Sequence, residues 1–99
     1  KALQENPLIS GALLGLGRCL FDEGQLKKAL VYMEQARRLK PRLTEIYLLL
    51  ARSYELVDKK KSLNYYLKFK KMATNDPDFL EFKKEVKKKI KKLRKKISL

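Results

Sequence analysis

The sequence predicts an all-α chain of antiparallel helix pairs, closed at its C-terminal end by a long basic helix. Three observations carry this expectation. Apolar residues recur at helical spacing, residue types repeat at an offset of 34 positions, and only 4 Gly and 3 Pro interrupt the 99 residues. Repeats of this length mark stacked units, each with more apolar surface than it can bury alone.

The segment Ser10–Pro41 is the clearest unit: one amphipathic helix, a turn at Gly24, a second helix and a closing proline. The spacing predicts helices over 10–23 and 26–40. Leu13, Leu16, Gly17 and Leu20 follow i, i+3, i+4, i+7 spacing and are expected to face the core as one stripe. Gly17 lowers helix propensity by about 1 kcal/mol relative to Ala. That cost is tolerable where a facing helix must come close, and Ala29 offers the small surface opposite. Cys19, among leucines, reads as a small buried hydrophobe.

The same pattern returns along the chain. The 34-residue offset pairs Leu13 with Tyr47, Leu14 with Leu48, Leu16 with Leu50, Gly17 with Ala51, Arg18 with Arg52 and Leu20 with Tyr54. An offset of 33 then pairs Ala29 with Ser62, Leu30 with Leu63 and Tyr32 with Tyr65, as if one residue were missing from the turn near 57–61. Helices are therefore expected over 44–57 and 60–75. Ala2 and Pro7 repeat Ala36 and Pro41 at the same spacing, so residues 1–7 read as the end of a truncated earlier repeat. The chain divides into 1–7, a first repeat at 8–41, a divergent second at 42–76, and a basic capping segment at 77–99. Pro7, Pro41 and Pro77 all fall where a second helix should end.

The last helix is expected over 78–97, with Asp76 as its N-cap. Phe79, Phe82, Val86, Ile90, Leu93 and Ile97 form a narrow stripe about 80° wide, edged by lysines. A helix of this length, roughly 30 Å, overhangs a neighbour of about 24 Å. Leu93 and Ile97 are therefore expected to project, with Lys89, Arg94 and Lys96, as a docking edge for another helix, another copy or a membrane surface.

The pattern resembles the tetratricopeptide repeat family. Gly17, Gly24, Ala29, Ala36 and Pro41 stand at its small-residue, turn and closing positions, with Phe21 and Met33 among the bulky sites. Leu13 replaces the usual aromatic. In residues 44–77, Tyr47, Ala51, Tyr54 and Ser62 fit, whereas Asp58 replaces the turn glycine and Phe69 the second alanine. The resemblance implies a right-handed superhelix whose first helices line a concave groove for a partner segment, with 77–99 as an end cap. On that reading Arg18 and Arg52, one repeat apart, fork onto carboxylates of an acidic peptide. Leu14 and Leu48 supply an apolar floor, and Gly11 and Gly15 leave room for a ligand backbone. The opposing expectation is that each arginine pairs with a nearby acid, Asp22 or Glu55. Leucines at the clamp positions disfavour a chaperone-type terminal-carboxylate clamp.

Charge and chemistry narrow the function classes. The net charge is +14, of which +3 falls in residues 1–57 and +11 in residues 58–99. Lysine outnumbers arginine 19 to 6 and no aromatic follows Phe82, so dedicated nucleic-acid reading is not expected. Nonspecific polyanion or peripheral anionic-membrane contact stays open. The absence of histidine, a single cysteine and the lack of a glycine-rich phosphate loop point to a non-enzyme without metal or cofactor. The uncharged stretch Pro7–Gly17 is too short to span a membrane. One cysteine favours an intracellular, soluble chain over a disulfide-stapled secreted one. The expected role is a non-catalytic protein-interaction scaffold. The alternatives are assembly or self-association through the basic helix, and attachment to anionic membrane or nucleic acid.

Overall fold

A computed structural model describes residues 7–98, and among them the chain is all-helical. Its elements are α1 (Pro7–Asp22), α2 (Leu26–Leu39), α3 (Thr44–Tyr54), α4 (Lys59–Ala73), a 3₁₀ segment (Pro77–Phe82) and α5 (Lys83–Ser98). Residues 1–6, expected to end an earlier repeat, lie outside the described residues. The helices pack in sequence order, α1 on α2, α2 on α3, α3 on α4 and α4 on α5, and α1 also touches α3. Two helical hairpins thus stack, and α5 lies over the second. None of the described helices is long and apolar enough to cross a membrane.

Small residues set the packing within each hairpin. A Cβ on Gly17 would lie 2.8 Å from Met33 Cγ and 3.3 Å from the Ala29 carbonyl oxygen. Only hydrogen fits there. One repeat on, Ala51 and Ser62 occupy the matching sites, and the fully buried Ser62 hydroxyl donates to the Ala51 carbonyl at 2.7 Å. The two helices of the second hairpin are therefore joined by a polar contact where the first has bare backbone. Gly24 makes the first turn at φ +82°, a left-handed conformation that glycine adopts without steric cost.

Four boundaries differ from the expected ones, each for a local reason. Helix α3 ends at Tyr54, not 57: the Val57 and Asp58 amides both donate to the Tyr54 carbonyl, and Asp58 then caps α4 by accepting from the Lys61 amide. The last helix does not begin as an α-helix. Pro77–Phe82 is 3₁₀, with Asp76 accepting from the Asp78 amide. In a 3₁₀ turn residues i and i+3 eclipse. That register brings Phe79 and Phe82 together at 6.3 Å, with Phe79 edge-on to Phe69 at 5.3 Å. Finally, Pro77 opens the 3₁₀ segment rather than closing α4, and Pro7 is the first residue of α1. A residue without an N–H is well suited to that first position.

The inward face of α1 is also rotated from the expected stripe. Leu14 is buried and Leu13 and Leu20 are half-buried, but Leu16 is 44% exposed and Cys19 is exposed rather than buried. The reason is geometric: among the described residues α1 has only α2 and the edge of α3 to pack on, which leaves one of its faces uncovered by them. Overfilling the α1–α2 contact should be costly. Gly17→Val is expected to lower the unfolding free energy by about 2 kcal/mol, read from urea midpoints.

Candidate functional site

Each of the two expected arginines already holds a carboxylate. Arg18 on α1 meets Glu45 of α3 at 3.1 Å, and Arg52 on α3 meets Glu85 of α5. Neither partner is the acid nearest in sequence. Each arginine reaches across to the next first-position helix, so the two ion pairs stitch α1 to α3 and α3 to α5.

The two pairs differ in kind. Arg18 and Glu45 are 57% and 43% exposed, a surface contact of about 0–1 kcal/mol. Arg52 donates through both Nε (3.1 Å) and Nη2 (2.8 Å) to Glu85, and its guanidinium stands 5.6 Å over the Phe82 ring. The bidentate fork fixes Arg52 in place. Leu14 and Leu48 are core residues at 8% and 3% exposure, not the floor of an open groove. Gly11 and Gly15 do lie on the surface, with nothing within 4 Å of where a Cβ would stand.

Two carboxylates join the helices: Glu34, which the sequence did not single out, and Glu55, which was expected beside Arg52 and instead meets other partners. Glu34 on α2 accepts from Arg37 (2.8 Å), Tyr54 (2.8 Å) and Tyr65 (2.9 Å), which links α2 to α3 and α4. The Tyr54 and Tyr65 rings stack at 5.7 Å. Burial alone would raise the Glu34 carboxyl, but the hydrogen bonds from Arg37, Tyr54 and Tyr65 outweigh it and hold the group below its ordinary 4.5. Burial, and then the bond to Glu34, pushes the Tyr65 phenol up to about 12 and moves Tyr54 upward as well. Glu55, at the end of α3, accepts from Lys89 of α5 at 2.9 Å and from the Tyr66 phenol of α4. Arg37 stands three residues from Glu34 on the same helix, but the other partners lie 11 to 34 residues from their acids and no spacing rule relates them.

The strongest uncompensated feature is α5. It carries ten Lys+Arg and one acid. Among the described residues Lys89 alone of the ten has an ion-pair partner. Six of the others, Lys84, Lys87, Lys88, Lys91, Arg94 and Lys95, line with Lys70 an open trough of about 930 Å³ between α4 and α5, around Ile90. A smaller apolar pit of about 200 Å³, lined by Phe69, Ala73 and Val86, adjoins it and shares Lys70 and Lys87. Of the expected docking edge, Arg94 and Lys96 are exposed, and Ile97 is half-buried. Leu93 does not project. It is 5% exposed, because α5 starts only at Lys83 after the 3₁₀ segment and its apolar stripe lies along the stack.

No protein-family model matches this chain, and no curated protein sequence matches it.

Because the Glu34 carboxyl is held low, its contribution is complete above the ordinary value of 4.5 and is lost as pH falls through the lower folded value. Glu34→Gln should cost about 1–2 kcal/mol at neutral pH. It should also make the loss of stability below about pH 4.5 shallower. Urea midpoints for both proteins on either side of that pH check both effects. The Tyr65 contribution runs the other way: it is complete below pH 10 and lost as pH rises through about 12.

Proposed function

We propose that the chain is a non-catalytic interaction scaffold, a tetratricopeptide-like stack of helical hairpins that docks an acidic protein segment on its basic closing helix. The observation that carries this reading is the trough between α4 and α5, in which cations without partners ring an apolar floor. An acidic helix matches that combination, its carboxylates meeting the ammonium groups and its flank lying on the aliphatic lysine stems around the buried Ile90.

The competing uses of α5 fit less well. Membrane insertion needs an outward apolar face, whereas Val86, Ile90 and Leu93 are buried against the stack. Self-association through Leu93 meets the same objection. Nucleic-acid reading would draw on arginine and aromatic stacking, and α5 has nine lysines, one arginine and no aromatic.

A second reading concerns Arg18. Its exposed bond to Glu45 is weak enough to be exchanged for the carboxylate of a bound segment, and Gly11 and Gly15 leave the backbone beside it open. Arg52, forked onto Glu85 beneath Phe82, is better explained as a structural tie.

Titration calorimetry with a Glu-rich amphipathic peptide tests the main reading. Lys87→Glu combined with Lys91→Glu should weaken binding at least about tenfold, or about 1.4 kcal/mol. Raising salt from about 50 to about 300 mM should weaken it as well. Arg18→Ala should leave this binding unchanged and should matter only if the peptide lies along α1 and α3. Equal affinity of the native and double-reversal proteins removes the trough as the site. Equal affinity for vesicles of anionic lipid or for DNA would make α5 a general polyanion surface.

A further inference from the structure

The first-position helices α1, α3 and α5 repeat one largely apolar motif, which is covered on α3 and α5 and open on α1. On α3 it is Ile46, Leu50 and Ser53, and on α5 it is Val86, Ile90 and Leu93, with the same spacing of four then three. All six are buried, at 0%, 0%, 1%, 2%, 5% and 5% exposure. Counting back 34 residues from α3 gives Ala12, Leu16 and Cys19 on α1. Here the motif is open: Ala12 and Cys19 are exposed, and Leu16 is 44% exposed against 0% for its counterpart Leu50.

Sequence does not make this difference, since α1 has no charged residue between Pro7 and Gly17. A helix that met water on that side would carry polar residues there. What differs is the neighbour. The motif on α3 is covered by the preceding hairpin, and Ser53 Oγ meets Met33 Sδ of α2 at 3.3 Å. Among the described residues, no hairpin lies over the motif on α1. At 100° per residue, Ala12, Leu16 and Cys19 lie within about 60° of arc, wide enough for one packed helix. Exposed Gly15 beside them lets that helix approach closely.

We propose that the outer face of α1 is a docking surface for one further helical hairpin of the same pattern as residues 8–41, seated on α1 as that unit is seated on α3. Its second helix would put a Met33-like side chain against Cys19. Residues 1–7 carry the matching sequence, since Ala2 and Pro7 repeat Ala36 and Pro41, which close α2 and its following turn. A head-to-tail second copy is a poor occupant, because the far end of the stack offers the lysines of α5 rather than an apolar helix. The proposal concerns the end of the stack away from the basic trough and stands independently of it.

Cys19 reports the outcome directly. In the 99-residue chain, the exposed thiol should react with a disulfide reagent such as DTNB at the rate of a free thiol. A second protein carries a copy of residues 8–41 joined directly ahead of residue 8, which keeps the 34-residue register, with the cysteine of the added copy replaced by serine. There Cys19 should be protected by a factor of about 100 or more, and the whole should melt in one transition. Leu16→Glu in the covered unit should restore reactivity, and the milder Leu16→Ser should act in the same direction. Neither should change the melting temperature of the 99-residue chain, where Leu16 is already in water. An undiminished Cys19 rate in the extended protein, or two separate melting transitions, would overturn the proposal. So would a dimer of the 99-residue chain, seen by sedimentation, that shields Cys19 and dissociates on Leu16→Glu, since a second copy would then be the occupant.

Discussion

The closeness with which two helices can approach at one small-residue crossing governs the rest of the molecule. At Gly17 the Ala29 carbonyl stands where a side chain would begin, and at the next crossing Ser62 bonds directly to the Ala51 carbonyl. Both crossings sit at the same place in their hairpins, and each brings the hairpin's outer surfaces into a fixed relation. The apolar side of α2 is thereby offered to α3, and that of α4 to α5. A wider crossing would lose the register on which every longer-range contact relies.

Those longer-range contacts are carboxylates shared between layers. Glu34 gathers donors from α2, α3 and α4, and Glu55 gathers them from α4 and α5. Arg52 ties α3 to α5 through Glu85. Each is half-buried, so its hydrogen bonds are shielded from water without the full penalty of buried charge. Four of the 11 acids, Glu34, Glu45, Glu55 and Glu85, thus join helices, and the cations in excess collect on α5. The uneven charge along the sequence is the trace of that division.

Much of this was legible in the sequence. Helical periodicity and the 34-residue offset gave the helix order, and Gly17 opposite Ala29 was readable because both small residues sit at matching repeat positions. The partners of Arg18 and Arg52 were not. An acid one turn away in the same helix looks nearer in sequence, but stacking brings Glu45 and Glu85 nearer in space. The reading of Cys19 and Leu16 as buried failed for a related reason. Periodicity reports which faces are apolar and cannot report whether a neighbour covers them, and the exposed motif of α1 is that case. The 3₁₀ start of the last helical segment was hidden because Phe79 and Phe82 fit an α-helical and a 3₁₀ spacing equally well.

Each first-position helix draws its cover from the hairpin before it, so cover should rank α3 above α1. Native-state hydrogen exchange, followed residue by residue in the 99-residue chain, measures this most directly. The amides of α3 around Ile46–Ser53 should exchange last, near the rate set by global unfolding, and those of α1 around Ala12–Cys19 should exchange earlier by opening of that helix alone. Equal protection of α1 and α3 would contradict the account, because an uncovered helix face could not then be what distinguishes them.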